Sequence, residues 1–378
     1  MKKIALAIDS FKGSLSSREI ETAFEQGVLR IAADCDIIKV EIADGGEGTV
    51  AALTESLNGH YVDIEVCDPL HRPIPARYGI IEGGKTAVVE MASASGLALL
   101  SPEEYNPLQT STFGTGEIIH DAIKRGCRKF LLGIGGSATN DAGMGALRAL
   151  GFRFLDCHGE ELRGGGGALQ EIATIDDSCI LKELSECEFI VACDVTNPLY
   201  GAEGAAYIFA PQKGANRAMV EQLDQGLRNF ARIVEEYNGS KIGELQGAGA
   251  AGGLGGGAKA LLNARLVRGI DMVLEAIGFD DKIRGCDLII TGEGRIDYQT
   301  LMGKAPSGVL AAAKRQNIPT IAIGGSIDWC EELHNSDFAA IEAVTPEGMS
   351  LEEAMKPSTA KDNIIRTAEL IARRFLID

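Results

Sequence analysis

Five short stretches of this 378-residue chain join glycine to acidic, basic or hydroxyl side chains. They are Asp9-Ser10-Phe11-Lys12-Gly13-Ser14, Asp44 to Gly48, Gly133 to Asp141, Thr291-Gly292-Glu293-Gly294-Arg295-Ile296-Asp297 and Gly324-Gly325-Ser326. Glycine lets backbone N–H groups converge on an oxyanion, and a following helix N-terminus favours negative charge at the same place. Carboxylates in such loops would repel a phosphate unless a hard cation lay between, because Mg²⁺ takes carboxylate and phosphate oxygens alike. Five loops of one character therefore point to a metal–phosphate site.

Other phosphate chemistries leave signatures that this chain lacks. There is no GxxxxGK[ST] P-loop, no HRD and DFG set and no GxSxG nucleophile elbow. Gly133, Gly135 and Ala138 do fit GxGxxG/A, with Asp156 at the distance of a ribose-binding carboxylate, so an NAD-dependent oxidoreductase is the competing reading. Against it, Asn140-Asp141 would put a carboxylate where pyrophosphate should lie. Among the lysines, Lys304 in Gly303-Lys304-Ala305-Pro306-Ser307-Gly308 stands where Pro306 marks the first turn of a helix, and Ser307 adds a hydroxyl. Lys12 and Lys213, the latter in Pro211-Gln212-Lys213-Gly214, are the other cations beside glycine turns.

The elements that must position these loops read as strands alternating with helices. Strands are expected at 3–8 and 37–42, with helices at 17–33, behind Ser16-Ser17, and from Thr49. Three β-like runs at 61–67, 76–81 and 86–90 are joined by tight turns and have antiparallel character. Alternation resumes with helix 114–125, strand 129–134, a helix running to about 150, strand 188–193 and helix 216–237. It closes with strands 286–291, 319–323 and 338–342 and helices 306–316 and 360–375. Gly247 to Gly257 holds seven glycines in eleven positions, but Ala and Leu interrupt it, so it reads as an ordered turn rather than a linker. The expected fold is α/β: a Rossmann-like parallel-sheet domain, discontinuous at 1–65 plus 285–378, with a second α/β domain inserted at 66–284.

Composition narrows the function classes. The net charge is −18, which opposes nucleic-acid backbones and anionic membranes as partners. No run of 18 apolar residues occurs, and the apolar start Ile4 to Ile8 is too short for a signal peptide, so a cytoplasmic protein is expected. Nine cysteines without a CxxC pair read as reduced thiols, and five histidines without paired spacing argue against zinc. Glycine, at 47 residues, is nearly twice its usual share, as expected where backbone approaches a ligand closely.

Taken together and in order, these stretches resemble the type I glycerate kinase family. The matching residues are Asp9-Ser10-Phe11-Lys12-Gly13, Ala43 to Thr49, Gly135 to Asp141 with Gly143, and Cys193-Asp194-Val195-Thr196-Asn197-Pro198-Leu199. Pro211 to Gly214, Thr291 to Arg295 with Asp297, and Gly303 to Pro306 complete the set, which spans residues 1 to about 325. The resemblance implies ATP-dependent phosphorylation of D-glycerate with Mg²⁺, the 2-phospho product, and a substrate cleft between a Rossmann-like and a second α/β domain. A kinase for another small hydroxy acid remains the nearer alternative, and a sugar-acid or nucleotide sensor the farther one. A homodimer is compatible with the sequence.

Phosphoryl transfer to a hydroxyl needs in-line positioning, charge neutralisation and a proton acceptor. Asp194 or Asp9 suits the proton, and Lys12 the developing charge. Lys12 and Arg295, with Ser10, Asp44, Gly45 and Gly46, suit the substrate and its carboxylate, since Arg can hold a carboxylate with two hydrogen bonds. Gly135, Gly136, Ser137 and Asn140, with Lys304 and Ser307, suit nucleotide phosphates. Glu47, Asp141, Glu293 and Asp297 suit the metal.

Overall fold

A computed structural model describes residues 1–42 and 48–377. Two compact units emerge, Met1–Gly45 with Gly269–Asp378, and Gly46–Arg268. The sequence set the breaks at 65/66 and 284/285. The helix Thr49–Ser56 packs on the strands that follow it, and the helix Gly269–Ala276 packs on the helix Ala305–Arg315, which accounts for where the breaks fall.

The first unit is built on a five-stranded sheet ordered Ala340–Ala343, Thr320–Ile327, Leu288–Ile296, Lys3–Ile8, Asp36–Lys39, with all neighbours parallel. Near-continuous apolar runs such as Ile4 to Ile8 suit strands buried on both faces. Ser16 caps the helix Ser17–Ile31 in a capping box with Glu19, and its face of Ile20, Ala23, Phe24 and Val28 packs in one core with Ile364, Ala368 and Ile371 of the helix Pro357–Phe375. From Lys3–Ile8 the chain moves to one side of the sheet. The later strands stack on the other, so the order reverses between Lys3–Ile8 and Leu288–Ile296. In open α/β sheets ligands collect at that reversal, outside the carboxyl ends.

The second unit has a six-stranded sheet ordered Arg265–Val267, Glu188–Ala192, Lys129–Gly133, Thr86–Glu90, Pro73–Ile81, His60–Cys67. The first four are parallel, and Pro73–Ile81 runs antiparallel to both its neighbours, Thr86–Glu90 and His60–Cys67, as the turn-rich texture of 61–90 suggests. A small antiparallel pair, Arg153–Leu155 with Thr174–Asp176, lies apart from it. The glycine-rich segment is ordered, with a 3₁₀ turn at Ala250–Gly253 leading into the helix Leu254–Leu261. Glycine is required there by close approach: a Cβ on Gly252 would sit 2.0 Å from the Thr139 carbonyl, and one on Gly257 2.0 Å from that of Ala142. Among the described residues no helix is long and apolar enough to cross a membrane.

Candidate functional site

In the first unit the reversal of strand order brings together one part of the expected set, Asp9, Ser10 and Lys12 with Glu293, Arg295, Asp297 and Lys304. Asp9 follows the strand Lys3–Ile8 and is nearly buried; its N–H donates to the Gly292 carbonyl at 2.9 Å, and its Oδ1 accepts from Ser10 N–H at 2.7 Å. The loop then folds back through the Phe11–Leu15 bridge, leaving Lys12 exposed. A Cβ on Gly294 would lie 3.5 Å from Phe11 Cα and 3.7 Å from Lys12 N, so the Asp9–Ser14 and Glu293–Asp297 segments run side by side.

On the Leu288–Ile296 side, charges are organised around Lys304. Its Nζ lies 3.5 Å from Glu293 Oε2 and 4.0 Å from Asp297 Oδ1. Thr300 Oγ1 donates to Glu293 Oε1 at 2.6 Å. Burial pushes the Glu293 carboxyl above its ordinary range, against the pull of Thr300 and Lys304. Asp297 caps the turn Tyr298–Leu301 through Gln299 N–H at 2.8 Å. Lys304 itself is the N-cap of the helix Ala305–Arg315, with Pro306 in the first turn; Ser307 Oγ donates back to the Lys304 carbonyl at 2.9 Å. Arg295 is largely exposed and forks onto Asp328, its Nε 3.1 Å from Asp328 Oδ2. Asp328 and Thr300 were not singled out in the sequence. Asp328 carried a weak signal, standing directly after the strand Thr320–Ile327.

In the second unit the loop after Lys129–Gly133 exposes Gly135 and Gly136 at its tip and buries everything from Ser137 to Asp141. Asp141 has no exposure. Its Oδ2 accepts from Thr112 N–H and Oγ1, both at 2.9 Å, and from Gly145 N–H at 3.1 Å, while Oδ1 accepts from Gly143 N–H at 3.2 Å. These bonds tie the loop to the helices Phe113–Lys124 and Met144–Ala149. Burial pushes the Asp141 pKa up and the four bonds oppose that. Asn140 is equally buried, and neither its Nδ2 nor its Oδ1 has a hydrogen-bond partner among the described residues.

Lys213 is the residue whose role sequence reasoning underrated. It is 2% exposed, and its Nζ donates to Ser137 Oγ at 2.7 Å and to the Thr139 carbonyl at 2.6 Å. Burial lowers its pKa to about 7, with the Asp141 carboxylate pulling the other way. An unfolded lysine keeps its proton to about pH 10.4, so between those values the unfolded chain binds more protons than the folded one. Folding stability is therefore expected to rise with pH from about 7 to about 10. Urea midpoints across that range should show the slope in the wild type and its loss in Lys213→Met; equal slopes would refute the assignment.

Asp194 stands exposed two residues past the strand Glu188–Ala192. Asp44, Gly45, Gly46 and Glu47 lie outside the described residues. The dinucleotide reading meets two obstacles. The helix after Gly133–Ala138 opens only at Met144, so the turn does not lead into a helix N-terminus as the fingerprint requires. Asp156 is engaged in its own turn, accepting from His158 N–H at 2.8 Å and Glu160 N–H at 2.9 Å.

Fold and loops together define an α/β protein that presents polar, glycine-rich segments outside the carboxyl ends of parallel strands, the arrangement in which nucleotides and phosphates are held. The glycerate kinase family profile matches residues 4–376. A glycerate kinase of Bacillus subtilis is 46% identical over 98% of this chain and 97% of its own. The glycerate 2-kinase of Escherichia coli is 43% identical over 99% and 98%. A crystal structure assigned as glycerate kinase 2 from Salmonella typhimurium LT2 superposes with a TM-score of 0.88 at 44% identity, covering 99% of this chain and 98% of that one. The chain is a kinase and belongs to the glycerate kinase family, which sets the NAD-dependent alternative aside.

Proposed function

We propose that the chain transfers the γ-phosphoryl group of Mg-ATP to the 2-hydroxyl of D-glycerate, giving 2-phosphoglycerate. The observation that supports this best is the charge cluster at the reversal of strand order, where Asp9, Lys12, Glu293, Arg295, Asp297 and Lys304 share one end of one sheet. Among the relatives, the one from Escherichia coli carries the 2-kinase name.

In this reading Lys12 and Arg295, with Ser10, Asp44 and the backbone of Gly45 and Gly46, hold the substrate carboxylate and the charge that develops on transfer. Asp194 accepts the hydroxyl proton, with Asp9 as the other candidate. Lys304 and Ser307 in the first unit, and the amides of Gly135 to Ser137 with Asn140 in the second, are the groups suited to nucleotide phosphates. A buried amide without a protein partner is a group that a bound polar ligand or water satisfies, which fits Asn140 to that duty. The oxygens of Glu293 and Asp297, beside the Thr300 hydroxyl, are the donor chemistry a hard divalent cation takes, and Glu47 is the further carboxylate of the expected metal set. Bound there, Mg²⁺ would neutralise phosphate charge. Asp141 is left out of that set, because its carboxylate serves the protein's own amides.

Arg295→Lys should raise KM for D-glycerate about three- to tenfold, since a lysine cannot make the two-pronged contact. An unchanged KM would remove Arg295 from the substrate. The reading as a whole is tested by ADP release with Mg-ATP and D-glycerate, the product being identified by ³¹P NMR. The 3-phospho product would overturn the regiochemistry. ATP binding without turnover on D-glycerate would shift the acceptor to another hydroxy acid.

A further inference from the structure

The exposed tip Gly135–Gly136 leaves the sheet at Gly133 and must be held from its far side if its amides are to keep one geometry. Three neutral tethers contribute. Leu97 N–H donates to the Gly136 carbonyl at 2.9 Å, Ala138 N–H to the Ser95 carbonyl at 2.9 Å, and Thr110 Oγ1 to the Ala138 carbonyl at 2.8 Å. The fourth is Lys213, which comes from a turn 76 residues beyond Ser137 and meets both the Ser137 side chain and the Thr139 carbonyl.

Burying an amine is costly unless its hydrogen bonds are needed, and an apolar chain of the same length would fill the space without that cost. The residues that receive the two bonds are Ser137, which directly follows the exposed tip, and Thr139, which precedes Asn140. Neither bond of Nζ goes to its own turn. One nitrogen bonded to both acceptors ties the Ser137 rotamer to the direction of the Thr139 peptide.

We infer that Lys213 is a positioning residue for nucleotide binding: through Ser137 and the Thr139 carbonyl it holds the Gly135–Ser137 backbone in the conformation that receives phosphate oxygens. This rests on the nucleotide role proposed above for that loop. It adds a residue that would touch neither substrate nor nucleotide.

Two readouts on Ser137→Ala, Lys213→Met and their combination test it. The first is amide hydrogen exchange of residues 135–139 without ligand. Exchange about tenfold faster in Ser137→Ala is expected, with the thermal midpoint little changed, because the bond from Lys213 to the Ser137 side chain is lost. Unchanged exchange would overturn the inference whatever the reaction turns out to be. The second is the split between KM for Mg-ATP and kcat. Each single variant should raise KM for Mg-ATP about tenfold while kcat moves much less, and the double variant should be no worse than Lys213→Met, since the two share one hydrogen bond. Multiplying effects, or an unchanged KM in Ser137→Ala, would overturn it. If Lys213→Met does not fold, Ser137→Ala decides alone. A wild type that releases no ADP with D-glycerate would defeat the proposed function and leave the exchange result to judge the positioning role.

Discussion

Asp141→Ala is expected to destabilise the Gly46–Arg268 unit by about 3–5 kcal/mol, because several buried donors lose their acceptor at about 1–3 kcal/mol each and local relaxation recovers part of that cost. The carboxylate has no exposure and accepts from Thr112 N–H, Thr112 Oγ1, Gly143 N–H and Gly145 N–H. Alanine would strand all four donors out of reach of water and leave Lys213 without the carboxylate that favours its charged form. Urea unfolding followed by circular dichroism gives the measurement. A loss under about 1 kcal/mol would mean that water enters and satisfies these groups. Asp141→Asn keeps the shape but turns an amide NH₂ toward backbone donors, so it should fall between the two.

Asp194→Asn should behave in the opposite way, lowering kcat by about 10²–10⁴-fold while leaving the thermal midpoint nearly unchanged. Its exposure past the end of the strand Glu188–Ala192 explains the stability half of that expectation, because little burial is at stake. The kinetic half follows from its proposed role: an amide holds the same place but cannot accept the hydroxyl proton. Near-normal turnover in Asp194→Asn, with a collapse in Asp9→Asn, would move the role to Asp9. Collapse of both would require pH profiles of kcat/KM to separate a proton acceptor from a charge that only orients. Asp9 is the less clean position, since it also receives Ser10 N–H and sits nearly buried against Gly292.

Local patterns reported much of the architecture. The apolar run Ile4 to Ile8, the capping Ser16 with Glu19, the Pro306 start of Ala305–Arg315 and the antiparallel texture of 61–90 each appear as expected elements. These are signals of period, capping and turn chemistry, carried by residues within a few positions of one another. Where a non-local contact decided, the expectation drifted. The helix expected between strand 129–134 and about 150 opens only at Met144, because Ala138 to Asp141 are held by Ser95, Thr110 and Thr112 instead of by a helical ladder. The glycine-rich turn proved to lead into a helix, its glycines placed by the carbonyls of Thr139 and Ala142.

The chemistry of the loops, their order along the chain and the kinase family that they mark were all present in the sequence, because a functional group's type and its neighbours in the chain are local facts. Which loops share one sheet end was not. That followed from the parallel pairing of Lys3–Ile8 with Leu288–Ile296, strands separated by the whole second unit. Nor could the sequence divide the charged residues into those facing water and those serving the interior. Asp141 and Glu293 look alike as acidic loop residues, yet one is enclosed by four donors and the other stands beside Lys304 at the carboxyl end of a sheet. Burial is a property of everything that packs around a group, and Lys213, an ordinary glycine-flanked lysine in the sequence, becomes an interior anchor only because 74 residues of chain bring Thr139 to it.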